Sequence, residues 1–240
     1  MFKFKKYILF FLILIFNFNV VNATPLVNKD WLKHKICNDN IKVIEVHRSK
    51  KDYELAHIPC SIFTNFYLDG WRETRKKMPL LMPSKSTLEA LIGSLGISNS
   101  DYVIIVAPGL GKYDMSEAAS IYFTFKYLGH KNISILNGGL KSWKEDWDND
   151  IETGYSVPQE NAYKSEINNN IIANKEDILE VISKKGYLID ARSSAMYMGI
   201  NSSFPSLRSG TIPNSINIPN DWLLINDSLF FQKKVDLEKI

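Results

Sequence analysis

Cysteine is nearly absent: the 240 residues contain two, Cys37 and Cys60. Two cysteines exclude the multi-bridge framework of a small stapled domain. Packing as buried apolar side chains is the preferred reading of both, with a single disulfide as the alternative. Histidine is scarce as well. His34, His47, His57 and His130 show no paired ligand spacing with either cysteine, so no metal or cofactor site is read. An excess of charge of one sign is also missing. The formal net charge is +3, and Lys3, Lys5 and Lys6 alone account for it. With no polyanion-attracting field and no basic stripe interleaved with aromatics, nucleic acid is excluded as a partner class. The densest basic stretch, 72–77, reads as a solvated helix end.

Only one strongly apolar run opens the chain. It follows three lysines, covers residues 7–16 and leads to the small residue Ala23. A run of about ten apolar residues is short of the ~20 needed to span a bilayer, so it reads as a secretory signal cut after Ala23. Membrane contact is then confined to this segment before cleavage. Export, compatible with a bacterial periplasm, implies an oxidising compartment.

What the chain does have is an internal repeat. Ile-Pro-x-Ser-Ile occurs at 58–62 and again at 212–216. Each copy follows an apolar run that closes on Arg-Ser, at Arg48-Ser49 and at Arg192-Ser193. The Arg-Ser landmarks lie about 144 residues apart and the Ile-Pro landmarks about 154, which places an insertion of about ten residues within 196–207 and indicates duplicated domains.

Helices and strands alternate. Asn28 caps a first helix, 41–46 is a strand, Ser61-Ile62-Phe63 a short strand, and 78–83 a loop. Ser86 opens a helix that stops at Gly96. The nearly continuous apolar run 102–106 suits a strand buried on both faces of a parallel sheet. A loop at 107–112 leads to a helix from about 116 to 128, then a strand at 132–136 and a short helix after Gly138-Gly139. The polar stretch 152–170 reads as a linker. Asn174 then caps a helix, and a strand at 187–190 begins the second copy.

Ala56-His57-Ile58-Pro59, the stretch 78–84, Leu95-Gly96-Ile97-Ser98-Asn99, Gly129-His130-Lys131-Asn132, Asn137-Gly138-Gly139-Leu140-Lys141-Ser142-Trp143, Ile189-Asp190-Ala191-Arg192-Ser193 and Leu207-Arg208-Ser209-Gly210-Thr211-Ile212-Pro213 stand in this order. The ordered set resembles the rhodanese family, specifically its two-domain thiosulfate and 3-mercaptopyruvate sulfurtransferases, over about residues 26–219. The resemblance implies an α/β fold, a parallel sheet flanked by helices in tandem domains. The first would occupy 26–151, and the N-terminal part of a second would follow the linker, at 171–240. It also implies sulfur transfer from a small anionic donor to a thiophilic acceptor through a cysteine persulfide. That chemistry needs a low-pKa thiolate cradled by backbone N–H groups, with cations for the donor's anionic end.

The loop at 107–114 has no cysteine, which matches the family's inactive first domain. Its Gly109-Leu110-Gly111-Lys112 reads as a structural turn, since the phosphate-loop spacing fails at Val106 and Tyr113. Carrying the first copy's intervals onto the second puts a catalytic loop near position ~262, beyond Ile240. No catalytic residue is therefore assigned. Arg192 matches the arginine that binds the donor's anionic group and is the candidate substrate contact; pairing with Asp190 to hold the strand end is the alternative. Arg208 reads as surface charge, Cys60 as a packing residue, His57 as part of a structural turn, and Trp71, Trp143 and Trp222 as core aromatics. A sheet without its central strand would leave Leu223, Leu224, Ile225 and Phe230 little to pack against.

Overall fold

The computed structural model describes residues 23–202, 208–225 and 228–239, with Lys112 described through its backbone alone. The signal segment and residues 203–207 of the expected insertion lie outside the described residues. Among those described, no helix is long and apolar enough to cross a membrane.

The first unit runs β1 (Leu26–Val27), α1 (Lys29–Lys33), β2 (Ile41–Val46), α2 (Lys50–Leu55), β3 (Ile62–Thr64), β4 (Glu73–Arg75), β5 (Met78–Leu81), α3 (Lys85–Ser94), β6 (Tyr102–Val106), α4 (Lys112–Tyr127), β7 (Ile133–Leu136) and α5 (Gly139–Lys144). Five strands form an all-parallel sheet in the order β1-β7-β6-β2-β3. The middle strand is β6, and the alternation of its side chains explains its unbroken apolar sequence. Val103 and Ile105 join Leu88, Ile92, Met115, Ile121 and Phe125 on one face, while Ile104 and Val106 join Leu32, Ile58, Leu140 and Trp143 on the other. This is an α/β architecture with a parallel sheet flanked by helices, as expected.

Local signals place most of the helices. Asn28 accepts a hydrogen bond from the Trp31 N–H at 2.8 Å and opens α1. The cap of α3 is Ser84, which accepts from the Thr87 N–H, so the helix begins one residue before the expected Ser86. Helix α4 begins four residues before the expected Ser116, because Asp114 caps its first turn. The expected loop at 78–83 instead holds β5, paired antiparallel with β4. This hairpin also overturns the reading of 72–77 as a solvated helix end. Lys76 and Lys77 sit at its turn with φ of 50° and 64°, and Arg75 pairs with Glu73.

Cys37 and Cys60 form a disulfide with Cα atoms 5.3 Å apart, and both residues are exposed. The preference for buried, packed cysteines was therefore wrong. Twenty-three positions separate them in sequence; the fold folds the end of the α1 turn back onto the residues before β3.

The stretch 152–170 carries no long regular element but is docked along the first unit. Asn161 N–H donates to the Gly93 carbonyl, Glu166 N–H to that of Leu128 and Asn168 N–H to that of Tyr127, and Tyr163 is buried in the core. The chain continues as α6 (Lys175–Ser183), β8 (Leu188–Asp190), α7 (Ser194–Tyr197), β9 (Ser215–Asn217) and α8 (Lys234–Leu237). β8 and β9 pair in parallel.

Both copies of the repeated phrase are held in the same way. In β2–β3, Ile44 pairs with Ile62; in β8–β9, Ile189 pairs with Ile216. The residue after each is acidic. Glu45 accepts from the Ile58 N–H at 2.6 Å and from Ser61 Oγ at 3.1 Å, and Asp190 accepts from Thr211 Oγ1 at 2.9 Å. A tyrosine hydroxyl then locks each turn: Tyr53 to the Ser61 carbonyl at 2.6 Å, and Tyr197 to the Ser215 carbonyl at 2.8 Å.

The residues beyond β9 return to the first unit. Leu229 is buried in its main core, with Leu224 and Phe231 packed against the same cluster. The Phe231 N–H donates to Asn137 Oδ1 at 2.9 Å. Leu224 thus has the partners it was expected to lack, while Leu223, Ile225 and Phe230 remain partly exposed. Trp71 and Trp143 are buried as expected, but Trp222 is half exposed and is not a core residue.

Candidate functional site

The loop after β6 is a turn closed by its own helix. Leu110 and Gly111 donate their N–H groups to Asp114 Oδ2 at 2.8 and 3.0 Å. These are the inward-facing donors that an anion would need, and a carboxylate of the same chain occupies them. Arg48, the first copy's arginine, is likewise engaged. Its guanidinium grips Glu117 of α4 through Nη2 at 2.6 Å and Nε at 3.0 Å. The Arg48 pKa is raised chiefly by the hydrogen bond to Glu117.

The second copy differs by one residue. His47 stands between strand and arginine in the first copy, so Glu45 meets His47 Nε2 at 2.8 Å and Arg48 is carried one position further. In the second copy Asp190 meets Arg192 directly. Arg192 Nη2 lies 2.6 Å from Asp190 Oδ2 and Nε 3.0 Å from Oδ1, and Nη2 also donates to the Gly210 carbonyl at 2.9 Å. These bonds fix the fork. The hydrogen bond from Arg192 is the largest cause holding the Asp190 carboxyl far below the usual carboxylate range.

Arg192 also lines a cleft of about 590 Å³ between the two parts of the chain. One wall is the exposed side of α4, with Ser116, Ser120 and Phe123; the other carries Arg192, Ser193 and Asn220. Arg192 thus makes the expected pairing with Asp190 and also faces a cavity.

Arg72 faces the same cleft and was missed as a candidate. Its Nη1 donates to Thr124 Oγ1 at 2.9 Å and to the Trp71 carbonyl at 2.5 Å, and its Nη2 donates to the Ser120 carbonyl at 2.9 Å. All three acceptors are neutral. Among the described residues no carboxylate lies within ion-pair distance of Arg72, and burial pushes its pKa below the ordinary arginine value. The clue in sequence was weak: an arginine beside Trp71, in a stretch where basic residues masked a hairpin.

The other candidates have structural surroundings. His57 is buried, with Nδ1 2.8 Å from the Tyr53 carbonyl and its ring stacked on Tyr53. Arg208 is exposed. Cys60 is disulfide-bonded and its N–H donates to Glu152 Oε2 at 2.9 Å. Among the described residues no three His, Cys, Asp or Glu side chains gather as a metal site.

Comparison with known proteins agrees with this architecture. Residues 28–146 match the model of the rhodanese-like domain. Rat thiosulfate sulfurtransferase is 27% identical over 239 residues, covering 89% of this chain and 78% of its own. The sulfur carrier protein TtuD of Thermus thermophilus is 31% identical over 207 residues, covering 81% of this chain and 69% of its own. Among solved structures, the 3-mercaptopyruvate sulfurtransferase SseA of Escherichia coli superposes with a TM-score of 0.75 at 22% identity, over 91% of this chain and 82% of the other, a likeness of fold. By sequence match over most of its length and by the parallel five-stranded sheet that carries it, the chain belongs to the rhodanese family.

Proposed function

We propose that this chain serves sulfur transfer of the kind its relatives perform, with a small anionic sulfur donor, thiosulfate or 3-mercaptopyruvate, held in the cleft at Arg192. The observation that carries this reading is the fixed guanidinium fork on the cleft wall. Asp190 and the Gly210 carbonyl orient it before any ligand arrives, which lowers the ordering cost of a charge-assisted contact. The first unit supports the same assignment by exclusion. Its N–H cradle after β6 is filled by Asp114, so a donor anion there would have to displace a carboxylate. On this reading the first unit is the non-catalytic member of a tandem pair and the second copy carries the donor site.

A persulfide needs a free thiol, and both cysteines of these 240 residues are joined in the disulfide. That pairing favours a second reading, in which these residues bind the anion without storing its sulfur. The disulfide also supports export to an oxidising compartment, in keeping with the N-terminal signal pattern.

Calorimetric titration with thiosulfate and sulfite, paired with a cyanide-dependent thiocyanate assay, tests both readings. Binding that weakens by about tenfold or more in Arg192→Ala is expected. Equal binding by wild type and variant would overturn the site. Turnover by the oxidised chain would exclude the binding-only reading, and turnover that appears on reduction and vanishes in Cys60→Ser would assign the sulfur to that thiol.

A further inference from the structure

The cleft is far larger than a thiosulfate ion and most of its lining is apolar. Met115, Ala119 and Phe123 of α4 face Met196, Leu223 and Phe231. Arg72 is held at this same surface. Its guanidinium is half buried, bonded to neutral acceptors, and without a carboxylate partner among the described residues. Asp221, which is exposed, is the one acid among the lining residues. Besides its neutral acceptors, the Arg72 guanidinium lies over the Phe66 ring, 5.3 Å from its centroid. A half-buried cation met only by neutral dipoles and one ring face is incompletely compensated, and an anion beside it gains a charge-assisted hydrogen bond. Nη1 is used by Thr124, the Trp71 carbonyl and, at 3.9 Å, Met82 Sδ, and Nη2 by the Ser120 carbonyl. A guanidinium carries five N–H donors, so donors remain.

We infer that the cleft takes an organic anion with an extended apolar body, whose charged end is bound by Arg72 while its chain lies between the faces of Phe123 and Leu223. This deepens the reading of the cleft as the sulfur-transfer site, because it names the class of larger substrate, an amphiphilic anionic donor or acceptor, that the volume admits beyond a small donor at Arg192. Arg72 is then a specificity residue contributed by the first unit.

The probe is a series of straight-chain alkanesulfonates from methanesulfonate to octanesulfonate, titrated calorimetrically onto the full chain. Affinity should rise by roughly threefold per added methylene until the apolar walls are covered. Arg72→Met should weaken octanesulfonate by about tenfold, and Arg72→Lys by less, because the point charge survives without the planar fork. Thermal unfolding without ligand reports whether each variant is folded. Octanesulfonamide, uncharged at neutral pH, supplies the same contrast on the wild type and should bind about tenfold more weakly than octanesulfonate.

A flat series, or sulfonamide and sulfonate binding alike, would overturn the inference, as would a folded Arg72→Met that binds like wild type. Arg192→Ala separates the two readings. If thiosulfate binding is indifferent to Arg192 while octanesulfonate still depends on Arg72, the donor-site proposal fails and this one stands. If the dependence on Arg72 is absent while Arg192 holds thiosulfate, the reverse is true.

Discussion

Arg48, Arg72 and Arg192 share one side-chain chemistry and have three different surroundings. Arg48 is locked to a buried glutamate, Arg192 to an aspartate at a cleft wall, and Arg72 to neutral acceptors. Only the Asp190–Arg192 neighbourhood was visible along the chain, since those residues stand two apart. Glu117 is 69 positions from Arg48, and no local pattern joins them. His130 is a second case of surroundings setting chemistry. Its Nδ1 lies 3.3 Å from the Tyr163 hydroxyl and its Nε2 3.1 Å from the Asp101 carbonyl, an arrangement served by a neutral ring with the proton on Nε2. Burial lowers the His130 pKa and raises that of Tyr163. A base whose folded pKa is depressed stays neutral in the fold while the unfolded chain takes up a proton below about pH 6.5, so stability must fall as pH drops through that window. Denaturant unfolding between about pH 7 and 5 should show this slope, and His130→Asn should flatten it. An unchanged slope in the variant would remove His130 from the account.

Elements are joined here by small numbers of close contacts. Gly139 opens α5 with φ of 61°, and a Cβ there would come within 2.4 Å of the Ala107 carbonyl oxygen. That approach fastens α5 to the loop after β6, where the Leu140 N–H donates to the same carbonyl at 2.8 Å. Gly139→Ala should cost about 2 kcal/mol or more in denaturant unfolding, through positive φ and the clash together. A loss of a few tenths would mean that the loop yields freely. The disulfide ties α1 to β3 across 23 positions. Loop-closure entropy for a ring of that size is worth about 3 kcal/mol, so a Cys37→Ser, Cys60→Ser double variant should unfold at correspondingly lower denaturant concentration. Oxidised wild type and the variant unfolding together would deny the bond a stabilising role. Helix caps at Asn28 and Asn174 were legible because capping is a contact over three residues. The β4–β5 hairpin was not, because Pro79 and three basic residues hide its strand pattern.

The molecule as a whole is closed by a segment far from the first sheet in sequence. Leu229 enters the main core, its carbonyl accepts the Gly138 N–H at 3.3 Å, and Phe230 lies over Gly138. The same return path forms one wall of the cleft, through Leu223, Leu224 and Phe231. Leu229→Ala should cost about 2–3 kcal/mol and, by releasing residues 228–231, should raise amide exchange at Gly138 and Phe231 more than at the β6 amides. Uniform acceleration would mean that the segment unfolds with the whole unit. Because the cleft needs both walls, the same variant is expected to weaken thiosulfate binding although it removes no cation.

Sequence alone determined the α/β layering, the buried middle strand, the helix caps at Asn28 and Asn174 and the repeated turn, because hydrophobic period and capping act over a few neighbouring residues. The Ile-Pro-x-Ser-Ile phrase was readable twice for this reason; each copy is a turn held by an acid two or three residues upstream of the arginine of its Arg-Ser landmark and by a nearby tyrosine. Which cation faces a cavity, which carboxylate fills an anion cradle, and whether two cysteines meet depend on distances across elements that chain spacing does not encode. Arg72 reaches Thr124 over 52 positions and Leu229 reaches Gly138 over a longer interval still. Packing brought these groups together, and the cleft with its two arginines is a product of that packing.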